Sequence, residues 1–307
     1  MNYFGYILMN NVIPLTIMIA IGIILRRLFE LDIKTLSKLN FYLFSPAIIF
    51  KMLYESDVSF AIIGQVLLFF GIYFSLLFGI AEIFVRLRRY TDGLRTAMRN
   101  SVIFYNSANY AIPLNQLVFV GDPFTLSIQI IIMMIQSLIP STYGIYSVNA
   151  HKAGIRNTFR TIMGMPVIYA IPLAFLLRGF DVPIPTPLYT PLNYVTNAFI
   201  ATALLTLGVQ LGAMKWEIKL SDVLLSNVLR LILGPALGFV VVWALGIEGM
   251  MAKALVLSCA VPTSLSSVLL AVEFDNEPEF SSQAVFSSTI FSIFTVTVVI
   301  YLLQFIH

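Results

Sequence analysis

Two short polar runs, each beside a proline, interrupt apolar stretches of the sequence: Asn106, Ser107, Asn109 and Pro113 in the first, and Pro262, Thr263 and Ser264 in the second. A proline lacks an N–H, so it leaves the carbonyl four residues earlier without a helical partner. If two such helices break and cross, the positive ends of two half-helices face one small cavity, and a helix N-terminus favours an anion. The residue types therefore predict an anion site at two broken helices.

The elements that must position these residues are membrane helices. Hydrophobic residues make up 59% of the 307 residues, charged residues 11%, and the mean hydropathy is +0.92. A soluble protein carries roughly a quarter charged residues, so this composition excludes a soluble domain, a disordered chain and a nucleic-acid-binding module. The single cysteine, Cys259, excludes a disulfide scaffold. We expect contacts with membrane lipid and none with nucleic acid.

A helix needs about 20 apolar residues to cross a bilayer. The sequence has ten such windows, at 7–28, 36–54, 61–85, 100–120, 124–147, 161–178, 188–211, 222–245, 251–272 and 282–305. It therefore predicts an all-α membrane protein with ten transmembrane helices. The two polar runs fall in the fourth and ninth of these predicted spans.

The positions of Lys and Arg predict the orientation in the membrane. No basic residue precedes Arg26 and Arg27, which follow the first span. Cytoplasmic loops carry an excess of basic residues, so we place the N-terminus outside, which puts 14 of the 18 basic residues in the cytoplasm. An even number of spans returns the C-terminus to the outside. The expected location is the plasma membrane, which the chain crosses many times.

The beginnings of the two halves of the chain resemble each other. Pro14 and Arg26 are 12 residues apart in the first span, and Pro166 and Arg178 are 12 residues apart in the sixth. Each of these stretches ends in Leu-Arg. The match predicts two copies of one five-span unit, in residues 1–150 and 151–307.

The prolines of the two polar runs fit the same repeat. Pro113 follows Pro14 by 99 residues, and Pro262 follows Pro166 by 96. Because five is odd, the second unit must cross the membrane in the opposite direction. Inverted repeats with helices broken at matching places are typical of secondary transporters. We therefore expect helices 4 and 9 to be broken and to cross.

The sequence resembles the auxin efflux carrier family, which includes plant auxin carriers and bacterial malate and malonate permeases. The runs that carry the resemblance are Asn106 to Leu114, Ala260 to Pro262, Glu273 to Asp275, Ser287 to Thr289, Leu36 to Leu39 with Pro46, and the Leu-Gly pairs at 207–208 and 211–212. The resemblance implies ten spans, crossed broken helices and transport of a small organic anion. It also implies a substrate site shaped by Asn106, Pro113 and Pro262, with Gln136 taking part.

Further implications of the resemblance concern mechanism. Spans 1, 2, 6 and 7 would form a scaffold, and spans 3–5 and 8–10 a transport core that moves against it in an elevator type of alternating access. A homodimer is the expected assembly. The substrate would be an auxin-like carboxylate or one of the malate or malonate type.

The residues decide neither the coupling ion nor whether the carrier is a sodium-coupled symporter. No Asp or Glu lies near the middle of a predicted span, which argues against a carboxylate-based proton exchanger. We expect no bound metal or cofactor, and coupling to Na⁺ or H⁺ stays open. A sodium-coupled, bile-acid-like symporter of the same superfamily is the alternative.

An intramembrane enzyme is the rival from a different class. The only histidines, His151 and His307, lie in a loop and at the terminus, and there is no HExxH zinc motif. We therefore expect no enzymatic activity.

Arg230 is the one basic residue well inside a predicted span. It could guide or gate an anion, or it could be a side chain that extends to the inner membrane surface.

Overall fold

The computed structural model describes residues 3–55, 58–90, 92–144, 146–147, 163–214 and 221–306. Throughout this part of the chain the regular elements are helices, and extended segments meet at one bridge, between Tyr105 and Thr263. The α-helices are α1 Tyr3–Ile7, α2 Ile13–Phe29, α3 Ile33–Leu39, α4 Ser45–Glu55, α5 Phe60–Leu87, α6 Asp92–Ile103, α7 Ala111–Val118, α8 Pro123–Ile139, α9 Val167–Gly179, α10 Thr186–Gly212, α11 Ser221–Val228, α12 Gly234–Ala244, α13 Gly249–Cys259, α14 Ser266–Glu273 and α15 Pro278–Leu302.

The fold is that of an all-α, multi-pass membrane protein. Within the described residues, six helical stretches are long and apolar enough to cross a bilayer: Tyr3–Phe29, Phe60–Leu87, Pro123–Gly144, Thr186–Gly212, Ser221–Ala244 and Pro278–Phe305. The predicted fourth and ninth spans are absent from this set because each is divided into two short helices, of 12 and 8 residues and of 11 and 8 residues. The second and sixth predicted spans are also absent from this set: α3, its π turn and α4 lie in the second, and the 13-residue α9 lies in the sixth. Six of the ten predicted windows thus coincide with such stretches, and ten crossings stay a prediction.

Prolines explain where the long helices widen. Three π-helical turns, Leu8–Val12, Asn40–Phe44 and Leu229–Leu233, each end two residues before a proline, namely Pro14, Pro46 and Pro235. A proline ring collides with the carbonyl four residues earlier and cannot bond to it. A single wider turn at that point keeps the rest of the helix continuous. Arg230 lies in the third of these turns.

Helices α2 and α10 approach each other at glycines. A Cβ added to Gly22 would lie 2.9 Å from the Cα of Gly208, and it would also collide with the carbonyl oxygen of Leu205. Small residues let membrane helices approach this closely. Asn40, in the π turn after α3, adds a polar tie, because its Nδ2 donates to the hydroxyl of Thr206 at 2.6 Å.

Two groups of helices share most of their contacts among themselves. In one group α2 packs along α10, and α4 packs along α9 and α10. In the other, α5 packs on α6, α8 and α12, while α13 packs on α8 and α12, and α15 on α11 and α14. At one end of the second group, Glu82 joins α5 to α6 by accepting hydrogen bonds from Arg95 and, at 3.4 Å, from Arg99.

Replacing Gly208 by Ala should destabilise the protein by about 1–3 kcal/mol, the usual cost of overpacking, because the new methyl group would meet the backbone of Ile19 and Gly22. Thermal unfolding of the purified protein in detergent measures the change. Gly71→Ala is the matched control, since a Cβ there meets no atom within 4 Å. Equal melting temperatures for both variants would contradict the close α2–α10 contact.

Candidate functional site

The two divided helices meet through their own backbones. The chain leaves the helix between α6 and α7 and again between α13 and α14, and the two unwound segments pair antiparallel. The N–H of Asn106 donates to the carbonyl of Pro262 at 2.8 Å, and the N–H of Ser264 donates to the carbonyl of Phe104 at 2.8 Å. The broken segments therefore satisfy part of each other's backbone hydrogen bonding.

Two glutamines of α8 hold the first unwound segment at both ends. Gln136 Nε2 donates to the carbonyl of Ile103, and Gln129 Nε2 donates to the carbonyl of Ser107, each at 3.2 Å. The two side chains are seven residues apart, which places them two turns apart on one face of the helix. Both are buried, and in the described part of the chain their Oε1 atoms have no hydrogen-bond partner.

Hydroxyl groups hold the second unwound segment. The N–H of Thr263 donates to Oγ of Ser288 on α15 at 3.2 Å, and the hydroxyl of Thr263 donates to the carbonyl of Ser101 on α6 at 2.8 Å. Thr263 is fully buried. Its hydroxyl therefore ties the second unwound segment to α6, and its backbone N–H ties the same segment to α15.

The second half-helices begin with side-chain caps. Oδ1 of Asn106 accepts a hydrogen bond from the N–H of Asn109 at 3.1 Å, in the turn that leads into α7. The hydroxyl oxygen of Ser264 accepts from the N–H of Ser266 at 3.2 Å, at the start of α14. Pro113 is the third residue of α7, where a missing N–H is tolerated. The sequence predicted a break in the run from Asn106 to Pro113; the chain is unwound before Pro113, and Pro113 lies in the first turn of α7.

A cavity of ≈ 300 Å³ lies beside the paired segments. Its polar lining comes from the unwound segments and α8 on one side, and from α3, its π turn, α4 and α10 on the other. The polar residues of the second side are Ser37, Asn40, Ser45 and Gln210. Apolar side chains, among them Met133, Ile171 and Leu269, complete the lining. No Lys, Arg, Asp or Glu is present among the described residues that line the cavity.

The structure brings together most of the site residues named from the sequence. The residues that line the cavity are Asn106, Ser107, Asn109, Gln136 and Ser264. Pro113, Pro262 and Thr263 lie in the surrounding backbone framework and not in the lining. Oδ1 of Asn106 accepts the hydrogen bond from Asn109, and its Nδ2 has no hydrogen-bond partner among the described residues.

Arg230 lies behind the paired segments, away from the cavity lining. Its side chain is fully buried, so it neither extends to a membrane surface nor reaches the cavity. Nη1 donates to the carbonyl of Val102 at 3.1 Å, and Nη2 donates to the hydroxyl of Tyr73 at 3.0 Å and to the carbonyl of Cys259. Its burial does not fit a side chain that extends to the inner membrane surface, and a role in guiding or gating an anion stays a prediction.

Several residues that hold the unwound segments or line the cavity were missed from the sequence. Gln129 could have been found from its spacing, since it lies seven residues before Gln136 in an apolar helix. Ser37 and Gln210 hydrogen-bond to each other at 3.3 Å across α3 and α10. Nothing in the local sequence indicates that pairing, because it depends on how two distant helices pack.

A second cavity, of ≈ 420 Å³, adjoins the first and shares Gln210, Leu265 and Leu269 with it. It continues toward Ile33 and Glu279, beside the ends of helices that the sequence places at the cytoplasmic face. Together the two cavities form a path from the paired segments toward that face.

Comparisons with known proteins agree with this architecture. Residues 155–300 match a family described as membrane transport protein. The chain is 22% identical over 292 residues to an uncharacterized transporter of Methanothermobacter thermautotrophicus, covering 92% of this chain and 94% of the relative. It is also 20% identical over 113 residues, 37% of each chain, to an uncharacterized transporter of Methanocaldococcus jannaschii. These matches confirm the resemblance to the auxin efflux carrier family and support a membrane transporter.

Gln129→Leu should lower stability by about 1–3 kcal/mol, because the carbonyl of Ser107 would stay buried without its donor. Thermal unfolding in detergent measures this change. The control is Gln65→Leu, which makes the same exchange at an exposed position of α5. A melting temperature that falls no further than in the control would show that the glutamine does not hold the break.

Proposed function

We propose that the protein carries a small organic anion across the membrane by alternating access, which its similarity to the membrane transport protein family and to an archaeal transporter supports. The observation that carries this proposal is the neutral, polar cavity at the paired helix breaks. The proposed architecture has ten spans in two inverted repeats, residues 1–150 and 151–307. Matching breaks in the predicted fourth and ninth spans support it, as does the family match over 155–300, which falls within the second repeat.

The anion would bind through dipoles and not through a charged side chain. The first turns of α7 and α14 start beside the cavity, and the N-terminus of a helix attracts negative charge. The free Nδ2 of Asn106 and the hydroxyls of Ser107 and Ser264 supply further donors. Oriented neutral donors can hold a carboxylate in a site of low polarity and still release it.

The lining favours one carboxylate with an apolar remainder. Most of the side chains on the α8 and α9 sides are apolar, including Met133, Met134, Val167, Ile168 and Ile171. A second carboxylate would lie against these groups without a counter-charge, at a high desolvation cost. Of the two substrate types expected from the sequence, we therefore favour the auxin-like monocarboxylate over malate or malonate.

Alternating access would move one helix group against the other. The cavity lies between α3, α4, α9 and α10, the proposed scaffold of spans 1, 2, 6 and 7, and the paired breaks with α8, which belong to the proposed core of spans 3–5 and 8–10. The adjoining second cavity extends to the predicted cytoplasmic side, which fits an inward-open state of an elevator. We propose a homodimer in the plasma membrane, with both termini outside.

Two alternatives are weaker. A sodium-coupled, bile-acid-like symporter would need oxygen ligands for the ion near the crossing, and the carbonyls of Val102 and Cys259 there already accept hydrogen bonds from Arg230. An intramembrane enzyme would need a catalytic group, and the described cavity lining contains no His, Cys, Asp or Glu.

Uptake into proteoliposomes tests the proposal. We expect saturable uptake of a labelled aromatic or branched monocarboxylate, and weak uptake of malate and malonate. The absence of saturable uptake for every anion, in protein that unfolds cooperatively, would contradict the carrier. Preferred uptake of a dicarboxylate would contradict only the substrate assignment.

Asn106→Ala should lower the affinity for the anion roughly ten- to a hundredfold, because a hydrogen bond to a charged group is worth about 1.5–3 kcal/mol. It should also free the N–H of Asn109 from its cap. The half-saturation concentration measures the effect. Asn197→Ala removes the same side chain at an exposed site of α10 and serves as control. Uptake by Asn106→Ala equal to that of the control would remove Asn106 from the site.

A further inference from the structure

Arg230 binds the C-terminal ends of two half-helices at once. Val102 lies in the last turn of α6, and Cys259 is the last residue of α13; both of their carbonyls accept from the guanidinium. The carbonyls at a helix C-terminus have no helical donor and carry partial negative charge. A cation placed between two such ends satisfies both of them, and it holds α6 and α13 together just where each stops.

The site is built to hold a guanidinium. A Cβ on Gly234, one turn after Arg230, would lie 2.9 Å from Nη2 of Arg230 and 3.2 Å from the hydroxyl of Tyr73. Glycine at this position therefore leaves the space that the guanidinium fills. The preceding π turn, Leu229–Leu233, places Arg230 in the protein interior.

The positive charge of Arg230 is not neutralised by an ion pair in the described part of the chain. The ion pairs of that part join Lys51 to Glu55 and three arginines to Glu82. Arginine keeps its charge in proteins, so the protein interior behind the crossover has a permanent positive charge. Carbonyl dipoles, the Tyr73 hydroxyl and the ring of Tyr105 stabilise it.

Tyr105 connects this charge to the cavity. The guanidinium carbon lies 4.7 Å from the centroid of the Tyr105 ring, a cation–π contact. Tyr105 is also part of the cavity lining and of the bridge with Thr263. The charge is thus separated from the cavity by a single residue, and in this environment of low polarity its field is weakly screened.

We propose that Arg230 is a built-in cation that takes the place of a coupling ion at the crossover. It occupies the carbonyl and hydroxyl oxygens that could otherwise bind a small cation, and its charge offsets that of the anion bound in front of Tyr105. Arg230 is a positioning residue, since it does not touch the substrate. The proposal rests on the proposed carrier function and adds that anion uptake needs no Na⁺.

The first experiment uses the unaltered protein. Uptake of a labelled monocarboxylate into proteoliposomes is measured with Na⁺ on both sides and again with Na⁺ replaced by N-methylglucamine. We expect the same half-saturation concentration and maximal rate. A requirement for Na⁺ overturns the built-in cation while leaving the carrier intact, whereas the absence of saturable uptake in either medium overturns both proposals.

The second experiment removes the charge. Arg230→Met should raise the half-saturation concentration about tenfold or more through the lost electrostatic attraction, and added guanidinium should restore it by occupying the vacated site. Arg230→Lys should retain most of the affinity. Arg178→Met is the control, because Arg178 also donates to a backbone carbonyl, that of Val58, but far from the crossover.

The outcomes of this second experiment are distinct. A folded Arg230→Met protein with unchanged half-saturation concentration, or one that guanidinium does not restore, overturns the proposal. If Arg230→Met does not fold, the Arg230→Lys protein and the sodium replacement still decide the question. An Arg230→Lys protein with the affinity of the unaltered protein supports a role for the charge, and one that binds no anion contradicts it.

Discussion

Two backbone hydrogen bonds, from Asn106 N–H to Pro262 and from Ser264 N–H to Phe104, allow the helices of two predicted membrane spans to stop and restart. In hydrocarbon an unpaired N–H or carbonyl costs several kcal/mol. A single broken helix would have many such groups. Two breaks that lie across each other supply partners for one another, so each break depends on the other, and the crossing is the condition for either to exist.

The backbone groups at the crossing that have no helical partner form two sets: carbonyls with partial negative charge and N–H groups with partial positive charge. The carbonyls at the ends of α6 and α13 accept hydrogen bonds from the guanidinium of Arg230 and from the amide of Gln136, and Gln129 donates to the carbonyl of Ser107 in the unwound segment. The starts of α7 and α14, with their positive ends, lie beside the cavity, and Asn106 and Ser264 each cap one N–H there. The protein thus supplies its own donors to the negative ends, whereas no charged side chain of the described lining lies beside the positive ends. In the proposed carrier, this division would let a cavity without charged side chains favour an anion.

The sequence predicted the parts of this arrangement that depend on local chemistry. Prolines and small polar residues in apolar helices identified both breaks, and the lack of charge in the predicted spans identified the membrane. The partners of the breaks could not be predicted in the same way. Whether Arg230 meets lipid headgroups, the cavity or two helix ends depends on how α6, α12 and α13 pack, and the residue type is compatible with each. Proline is tolerated in the first turn of a helix, so Pro113 marks where α7 begins and does not by itself indicate where α6 ends.

The two repeats, if they are copies, have kept the backbone crossing and diverged in the side chains that hold it. Amide groups from α8 hold the first unwound segment, while hydroxyls of Thr263 and Ser288 tie the second. All of these partners, with Arg230, lie on helices of the proposed transport core. A movement of this core against α2, α4, α9 and α10 would break none of these hydrogen bonds. It would change only the contacts across the cavity, where Ser37, Asn40 and Gln210 of the other group face the paired segments. In the proposed carrier, the substrate would bind at the boundary between the two helix groups, and the helix breaks beside it would move together as part of one group.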